Sequence, residues 1–302
     1  MGRSVSDRIR SLKRDTGALI LAHYYQRPEI QDIADFLGDS LALSIRAAES
    51  DARMIVFCGV YFMAEQAAVL ADVPVYIPDS NAVCPLARML KREHIERARR
   101  KYPSAPLVLY VNSRAIHKAL ADYVVTSANA ADLIAELDDE VIIFGPDRNL
   151  AEHVAQVTGK TIIPIPPNGY CYVHVLFRCG RAEVLRRKGY TIIVHPECMT
   201  CVRNIADFVG STRQMYRFIE KSPARKIAVG TEVGFVARAS RDFPEKEIVP
   251  LDPLAVCRDM KKITLGKILR CLAWKEGRVL VEPKVARRVR RAIERTKEVL
   301  AR

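Results

Sequence analysis

The sequence predicts an α/β protein of three α/β/α sandwich units with parallel sheets, related by a pseudo-three-fold axis. A triplicated string, a set of landmarks in register with it, and an alternation of short apolar runs with helical patterns all point there. The string reads Ala34-Asp35-Phe36-Leu37-Gly38-Asp39-Ser40, then Ala121-Asp122-Tyr123-Val124-Val125-Thr126-Ser127, then Ala206-Asp207-Phe208-Val209-Gly210-Ser211-Thr212. Its closing hydroxyls are offset by 87 and 85 residues. Gly59, Gly145 and Gly230 each close an apolar run, and His23, Tyr110 and His195 each follow one, in the same register. Such internal repetition is the mark of copies of one unit packed together. Copies of about 86 residues fall below the usual domain size, so they are expected to fold as one body with the active site at their common interface.

The repeats are bounded at 1–101 (with an N-terminal helix), 102–187 and 188–302 (with a C-terminal helix). Strands are expected at Ala18–Ala22, Asp35–Leu37, Met54–Phe57 and Val73–Ile77 in the first copy. The second has Leu107–Val111, Tyr123–Val125, Val141–Phe144 and Thr161–Ile165, and the third Thr191–Val194, Asp207–Val209, Lys226–Val229 and Glu247–Val249. These runs are short, apolar and rich in Val and Ile, as parallel strands buried on both faces must be. Helical patterns intervene, for instance Ala64–Ala71 and Gln214–Lys221, and alternating β and α elements imply helices on both faces of each sheet. An amphipathic helix follows Glu282-Pro283.

Composition limits the function classes. The 302 residues are 49% hydrophobic and 27% charged, values of a globular protein with a large core. No apolar run approaches the ~18 residues of a membrane span. Met1 to Asp15 is basic and helical in pattern without an apolar signal core, which argues for a cytoplasmic protein. Met1-Gly2 with Ser6 matches a myristoylation pattern, a short match read as accidental. The net charge of +13 gathers in Lys91–Lys101 and Arg287–Arg302, where basic residues alternate with apolar ones. That is the look of solvated amphipathic helices, so no nucleic acid and no membrane is expected as partner. Eight cysteines without an export signal point to thiols or metal ligands rather than to a disulfide framework.

Ligands of parallel sheets bind beyond the carboxyl ends of the strands. There His23 and Tyr25, Tyr110 and Asn112, and His195 and Glu197 occupy the same two positions of the three copies. His and Glu are proton shuttles near neutral pH, while Tyr and Asn hold oxygens in place. Ser40, Ser127 and Thr212 are each expected to open a helix; an N-cap is their default role, and an anion site is the alternative. Cys84, Cys171 and Cys257 follow the fourth strand of each copy at spacings of 87 and 86. Brought together they form a trigonal thiolate set; an iron–sulfur cube can be held by three of its corners, leaving one iron open. Cys198-Met199-Thr200-Cys201 is a C-x-x-C without counterpart in the other copies, so a disulfide or half of a zinc site is its local reading. Cys58, Cys179 and Cys271 read as ordinary core or surface thiols.

Assembled in order, Leu21-Ala22-His23-Tyr24-Tyr25-Gln26, Gly38-Asp39-Ser40, Tyr110-Val111-Asn112-Ser113, Thr126-Ser127-Ala128-Asn129, Gly169-Tyr170-Cys171-Tyr172-Val173-His174, His195-Pro196-Glu197-Cys198 and Met260-Lys261-Lys262-Ile263-Thr264 resemble the quinolinate synthase family of NAD biosynthesis. The resemblance implies an oxygen-sensitive 4Fe–4S cluster on Cys84, Cys171 and Cys257. It implies condensation of iminoaspartate with dihydroxyacetone phosphate to quinolinate, with loss of phosphate and two waters. Iminoaspartate would be supplied by L-aspartate oxidase or aspartate dehydrogenase. Carried over, the substrate-binding residues are His23, Ser40, Tyr110, Val111, Asn112, Ser127, His195, Pro196, Glu197 and Thr212. Glu197 paired with His195 is the expected base, with Tyr25, Tyr110 and His174 also in catalytic positions. Arg213-Gln214 departs from the small residues common in the family, and Cys201 lies outside its pattern. Related three-domain cluster enzymes would instead need S-adenosylmethionine or reducing equivalents, and a zinc-based nucleic-acid binder would use Cys198 and Cys201.

Overall fold

The computed structural model describes residues 4–301, and the Met1-Gly2 start of the myristoylation match and Arg302 at the end of the second basic stretch lie outside them. The first run of elements is α1 (Val5–Thr16), β1 (Ala18–His23), α2 (Pro28–Gln31), β2 (Phe36–Gly38), α3 (Ser40–Ala48), β3 (Met54–Cys58), α4 (Tyr61–Leu70), β4 (Val75–Tyr76), α5 (Pro85–Met89) and α6 (Arg92–Lys101). The second is β5 (Leu107–Tyr110), α7 (Ala115–Lys118), β6 (Tyr123–Val125), α8 (Ala130–Glu136), β7 (Val141–Gly145), α9 (Arg148–Thr158), β8 (Thr161–Pro164), a 3-10 turn (His174–Leu176) and α10 (Cys179–Arg187). The third is β9 (Thr191–Val194), α11 (Thr200–Ile205), β10 (Phe208–Val209), α12 (Thr212–Lys221), β11 (Lys226–Gly230), α13 (Val233–Asp242), β12 (Glu247–Pro250), a 3-10 turn (Met260–Lys262), α14 (Leu265–Trp274) and α15 (Pro283–Leu300).

The strands form three four-stranded sheets of one order, β2-β1-β3-β4, β6-β5-β7-β8 and β10-β9-β11-β12. All pairings between these strands are parallel, as the α/β/α expectation requires. β4 is shorter than its apolar run because Pro74 has no N–H and the N–H of Ile77 turns to Gly277 O at 2.9 Å. Among the described residues no helix is long and apolar enough to cross a membrane.

The repeated Ala-Asp string has a structural cause. In each copy the Asp carboxylate accepts the backbone N–H of a residue in the first strand: Ile20 to Asp35, Leu107 to Asp122 and Ile192 to Asp207, all at 2.8 Å. The Asp N–H returns a bond to the same residue's carbonyl at 2.8–2.9 Å. A cation from the helix before that strand completes each brace: Lys13 on Asp35 at 2.6 Å, Arg99 on Asp122 at 3.0 Å and Arg186 on Asp207 at 2.7 Å. Each edge strand has only two or three residues, so this closed ring starts a pairing that so short a ladder would hold weakly.

The chain divides into two compact units, Met1–Cys84 with Cys257–Arg287, and Pro85–Val256 with Arg288–Arg302. The first unit holds one sheet. In it the segment after Cys257 is laced to two loops: Lys261 Nζ donates to Tyr25 O at 2.5 Å, Arg27 donates to Lys261 O, and Lys262 Nζ donates to Asn81 O at 2.8 Å. The second unit holds the other two sheets. Thr296 of α15 both donates to Val124 O and accepts from Val124 N–H, at 3.0 and 3.1 Å, closing the exposed side of edge strand β6. The buried residues Val289, Ala292, Thr296 and Val299 make one face of α15, with arginines and lysines on the rest.

Candidate active site

In the second unit β9 ends at Val194, and the chain turns through His195-Pro196-Glu197-Cys198. The turn is held from within: Glu197 N–H donates to His195 Nδ1 at 3.3 Å and Cys198 N–H to His195 O at 3.0 Å. Arg203 of α11 folds back and donates to the carbonyls on either side of Glu197, those of Pro196 and Cys198. The Glu197 side chain is thereby fixed in a pocket where it is only 2% exposed.

Around that carboxylate the second unit gathers most of its candidates. Glu197 Oε2 lies 2.6 Å from His174 Nδ1 and 3.9 Å from His195 Nδ1, so its nearer partner is His174 rather than His195. Asn112 donates to Glu197 Oε1 at 3.3 Å, and Tyr110 also bonds the carboxylate. The two imidazoles stack with centroids 4.5 Å apart. Burial alone would raise the Glu197 pKa, but the attraction and hydrogen bond of His174, then His195 and Tyr110, outweigh it and hold the carboxyl down at about 2. These surroundings favour the charged carboxylate.

Cys171 sits at the mouth of this cluster. Its N–H donates to Asp147 Oδ2 at 3.0 Å, while Asp147 Oδ1 caps α9 by accepting from Leu150 N–H at 2.8 Å. Arg148 N–H reaches Gly169 O at 2.8 Å, and a Cβ on Gly169 would collide with Pro146 O, so only glycine lets the two loops meet. Burial, then the nearby Glu197 charge, push the Asp147 carboxyl well above its ordinary value. Cys171, His174 and Glu197 each offer a ligand atom within 4.8 Å of the others, a group able to hold a metal ion.

The hydroxyl positions differ from expectation. The N-caps of α3 and α12 are Asp39 and Ser211, one residue earlier, which bond Ala42 N–H at 3.0 Å and Gln214 N–H at 3.3 Å. Ser40 and Thr212 stand at the first helical position instead. Ser127 opens no helix, because α8 begins at Ala130 after a turn in which Thr126 N–H donates to Asn129 Oδ1. Its Oγ lies 3.2 Å from His195 Nε2, which joins it to the carboxylate cluster. Val111 and Pro196 are buried within their strand-tip loops. In the first unit His23 ends β1 and its ring meets Tyr25 edge-on at 4.4 Å, with Tyr25 N–H donating to His23 Nδ1 at 3.1 Å. That turn repeats the His195-to-Glu197 turn of the third copy.

The cysteines sort by chemistry. Cys179 and Cys201 form a disulfide, which overturns the reading of Cys179 as an ordinary core or surface thiol. It also removes Cys201 from any zinc site or bond with Cys198. The cause is packing: the start of α10 meets the first turn of α11 with Cα atoms 6.0 Å apart, while Cys198 is buried and turned to Gly230 O at 3.4 Å. Burial pushes the Cys58 and Cys198 thiols well up and Cys271 to about 12, so none of these is a ready thiolate. Cys84, Cys171 and Cys257 are partly exposed and outside any disulfide.

Residue patterns did not single out Thr231, Asp147, Arg203 or the fully buried Lys118, whose Nζ donates to Val111 O at 3.4 Å. Thr231 Oγ1 lies 3.0 Å from His174 Nε2. It follows Gly230, one of the aligned glycines, but Val60 and Pro146 stand at the matching positions, so no residue type repeats there.

A buried carboxylate between stacked imidazoles beside a thiol, beyond the carboxyl ends of parallel strands, is an arrangement able to move protons and to hold a metal ion in an α/β/α enzyme. Residues 7–298 match the family described as Quinolinate synthetase A protein, and the chain belongs to that family. It is 47% identical over 297 residues to the quinolinate synthase of Thermotoga maritima, covering 97% of this chain and 99% of that one. With the quinolinate synthase of Pyrococcus furiosus it shares 49% identity over 294 residues, covering 96% of each. The quinolinate synthase of Methanothermobacter thermautotrophicus is 46% identical over 288 residues, with 94% of each chain covered.

Proposed function

We propose that this chain condenses iminoaspartate with dihydroxyacetone phosphate to quinolinate, releasing phosphate and two waters, and holds a 4Fe–4S cluster through Cys84, Cys171 and Cys257. The observation that carries the reading is the Glu197 carboxylate gripped by His174, within ligand distance of Cys171, in a chain that aligns with quinolinate synthases over nearly its whole length. Each repeat (1–101, 102–187 and 188–302) contributes one of the three cysteines. When bound, such a cluster supplies an iron without a protein ligand, a Lewis acid for a substrate oxygen.

The chain's own residues do the rest. His23, Ser40, Ser127 and Thr212 hold the carboxylates of iminoaspartate, and Tyr110, Val111 and Asn112 fix its carbon skeleton. Glu197 and His174 act as a pair, because the carboxylate and the imidazole Nδ1 in contact with it can share a proton between them. Pro196 and His195 keep that pair in place, and Tyr25 delivers protons to departing oxygens. No net oxidation or reduction is needed. An oxygen-sensitive cluster suits a reducing cytoplasm, with L-aspartate oxidase or aspartate dehydrogenase upstream.

The test is anaerobic purification, reconstitution with iron and sulfide, and incubation with dihydroxyacetone phosphate and iminoaspartate made in situ from L-aspartate by an oxidase. Quinolinate should accumulate in proportion to loaded cluster, with one phosphate released per quinolinate. Iron-loaded protein that makes none from both substrates would remove the assignment.

A further inference from the structure

Thr231 is completely buried at the end of β11, with its hydroxyl 3.0 Å from His174 Nε2. The other nitrogen of that ring, Nδ1, faces Glu197 Oε2 at 2.6 Å. An ionised carboxylate can only accept, so Nδ1 carries a proton. Nε2 is then the acceptor that faces the Thr231 hydroxyl. A hydroxyl supplies the donor that Nε2 needs in that tautomer.

His195, stacked on the same ring, is held the other way round. Its Nδ1 accepts the Glu197 N–H at 3.3 Å, so its proton lies on Nε2, which donates to Ser127 Oγ at 3.2 Å. Two parallel imidazoles 4.5 Å apart thus carry opposite tautomers, and the choice for each is made by the group on its far nitrogen.

We infer that Thr231 is a positioning residue for the proposed reaction: its hydroxyl locks the tautomer and ring orientation of His174 by donating to Nε2, opposite the Glu197 carboxylate. The inference rests on the reading of His174 as a proton-handling group. Partners of this kind on a functional histidine are worth about 10- to 100-fold when removed.

The experiment compares wild type, Thr231→Val and Thr231→Ser as anaerobically purified, cluster-loaded protein. Thr231→Val keeps the shape without the hydroxyl and should lower kcat about 10- to 100-fold. KM for both substrates and the iron content should stay unchanged. Thr231→Ser should return most of the lost kcat. Full turnover by the Val variant, an equal loss in both variants, or a loss that merely follows iron content would overturn the inference. Protein labelled with 15N-histidine provides a readout that needs no turnover, the resonances of ring 174 being assigned by their loss in His174→Gln. Thr231→Val should shift them and Thr231→Ser should not, and unchanged shifts in both would also overturn it. If wild type makes no quinolinate, the proposed function fails, while the ring shifts still decide the tautomer lock.

Discussion

His174 Nδ1 and Glu197 Oε2 stand 2.6 Å apart with both side chains withdrawn from solvent. Paired in this way, neither group can be neutralised without stranding the other. Glu197→Gln should therefore lower kcat by roughly 10²- to 10⁴-fold at constant iron content, as expected for loss of a positioned proton acceptor. Steady-state rates normalised to bound iron measure this, and a variant with full turnover would remove Glu197 from the role.

Asp147 bridges the N-terminus of α9 and the N–H of Cys171, so it holds the backbone that carries that thiol. Replacing it by alanine should reduce affinity for reconstituted iron and sulfide about tenfold or more. Asp147→Asn, which keeps one acceptor oxygen, should lie between alanine and wild type. Iron and sulfide analysis after anaerobic desalting reads the outcome, and alanine protein that loads like wild type refutes it.

The Cys179–Cys201 disulfide closes a loop of 22 residues. Removing such a constraint costs about 3 kcal/mol of stability. Reductant should lower the urea midpoint of wild type and leave Cys179→Ser unaffected, while Cys198→Ser should behave like wild type. Insensitivity of wild type to reductant would contradict the bond.

His153 is held at about 4, first by burial and then by the Arg203 charge. Its folded value lies below the ordinary 6.5, so the unfolded chain binds the proton more tightly. The histidine's contribution to stability is then complete above pH 6.5 and declines as pH falls toward 4. Being partly exposed, it should account for on the order of 1 kcal/mol over that range. His153→Gln should lose less Tm than wild type between pH 7 and pH 5, and parallel losses in the two proteins would exclude it.

The sheets were legible because parallel strands buried on both faces leave nearly unbroken apolar runs, and because the bracing Asp must recur wherever the same short edge strand does. The strand-tip candidates were legible for a related reason: a polar residue just beyond a buried strand needs partners, and Glu197 finds His174, Asn112 and Tyr110. What stayed hidden depends on how elements cross. Cys179 and Cys201 meet because α10 lies on α11, a relation that spacing along the chain does not carry. The caps fell on Asp39 and Ser211 because two adjacent residues could each cap, and backbone geometry chose the earlier one. Thr231 was missed since a threonine after an apolar run looks like the end of a strand; only the position of His174, 57 residues earlier, gives it a purpose.

Asp35, Asp122 and Asp207 each secure their strand by the same ring of contacts, whereas the tripeptides at the ends of the neighbouring strands differ: His-Tyr-Tyr, Tyr-Val-Asn and His-Pro-Glu. Such a framework leaves the rims free to vary while the foundations stay alike. A designer could exploit the same separation by transplanting a rim tripeptide from one copy to another, expecting the host sheet to assemble unaltered.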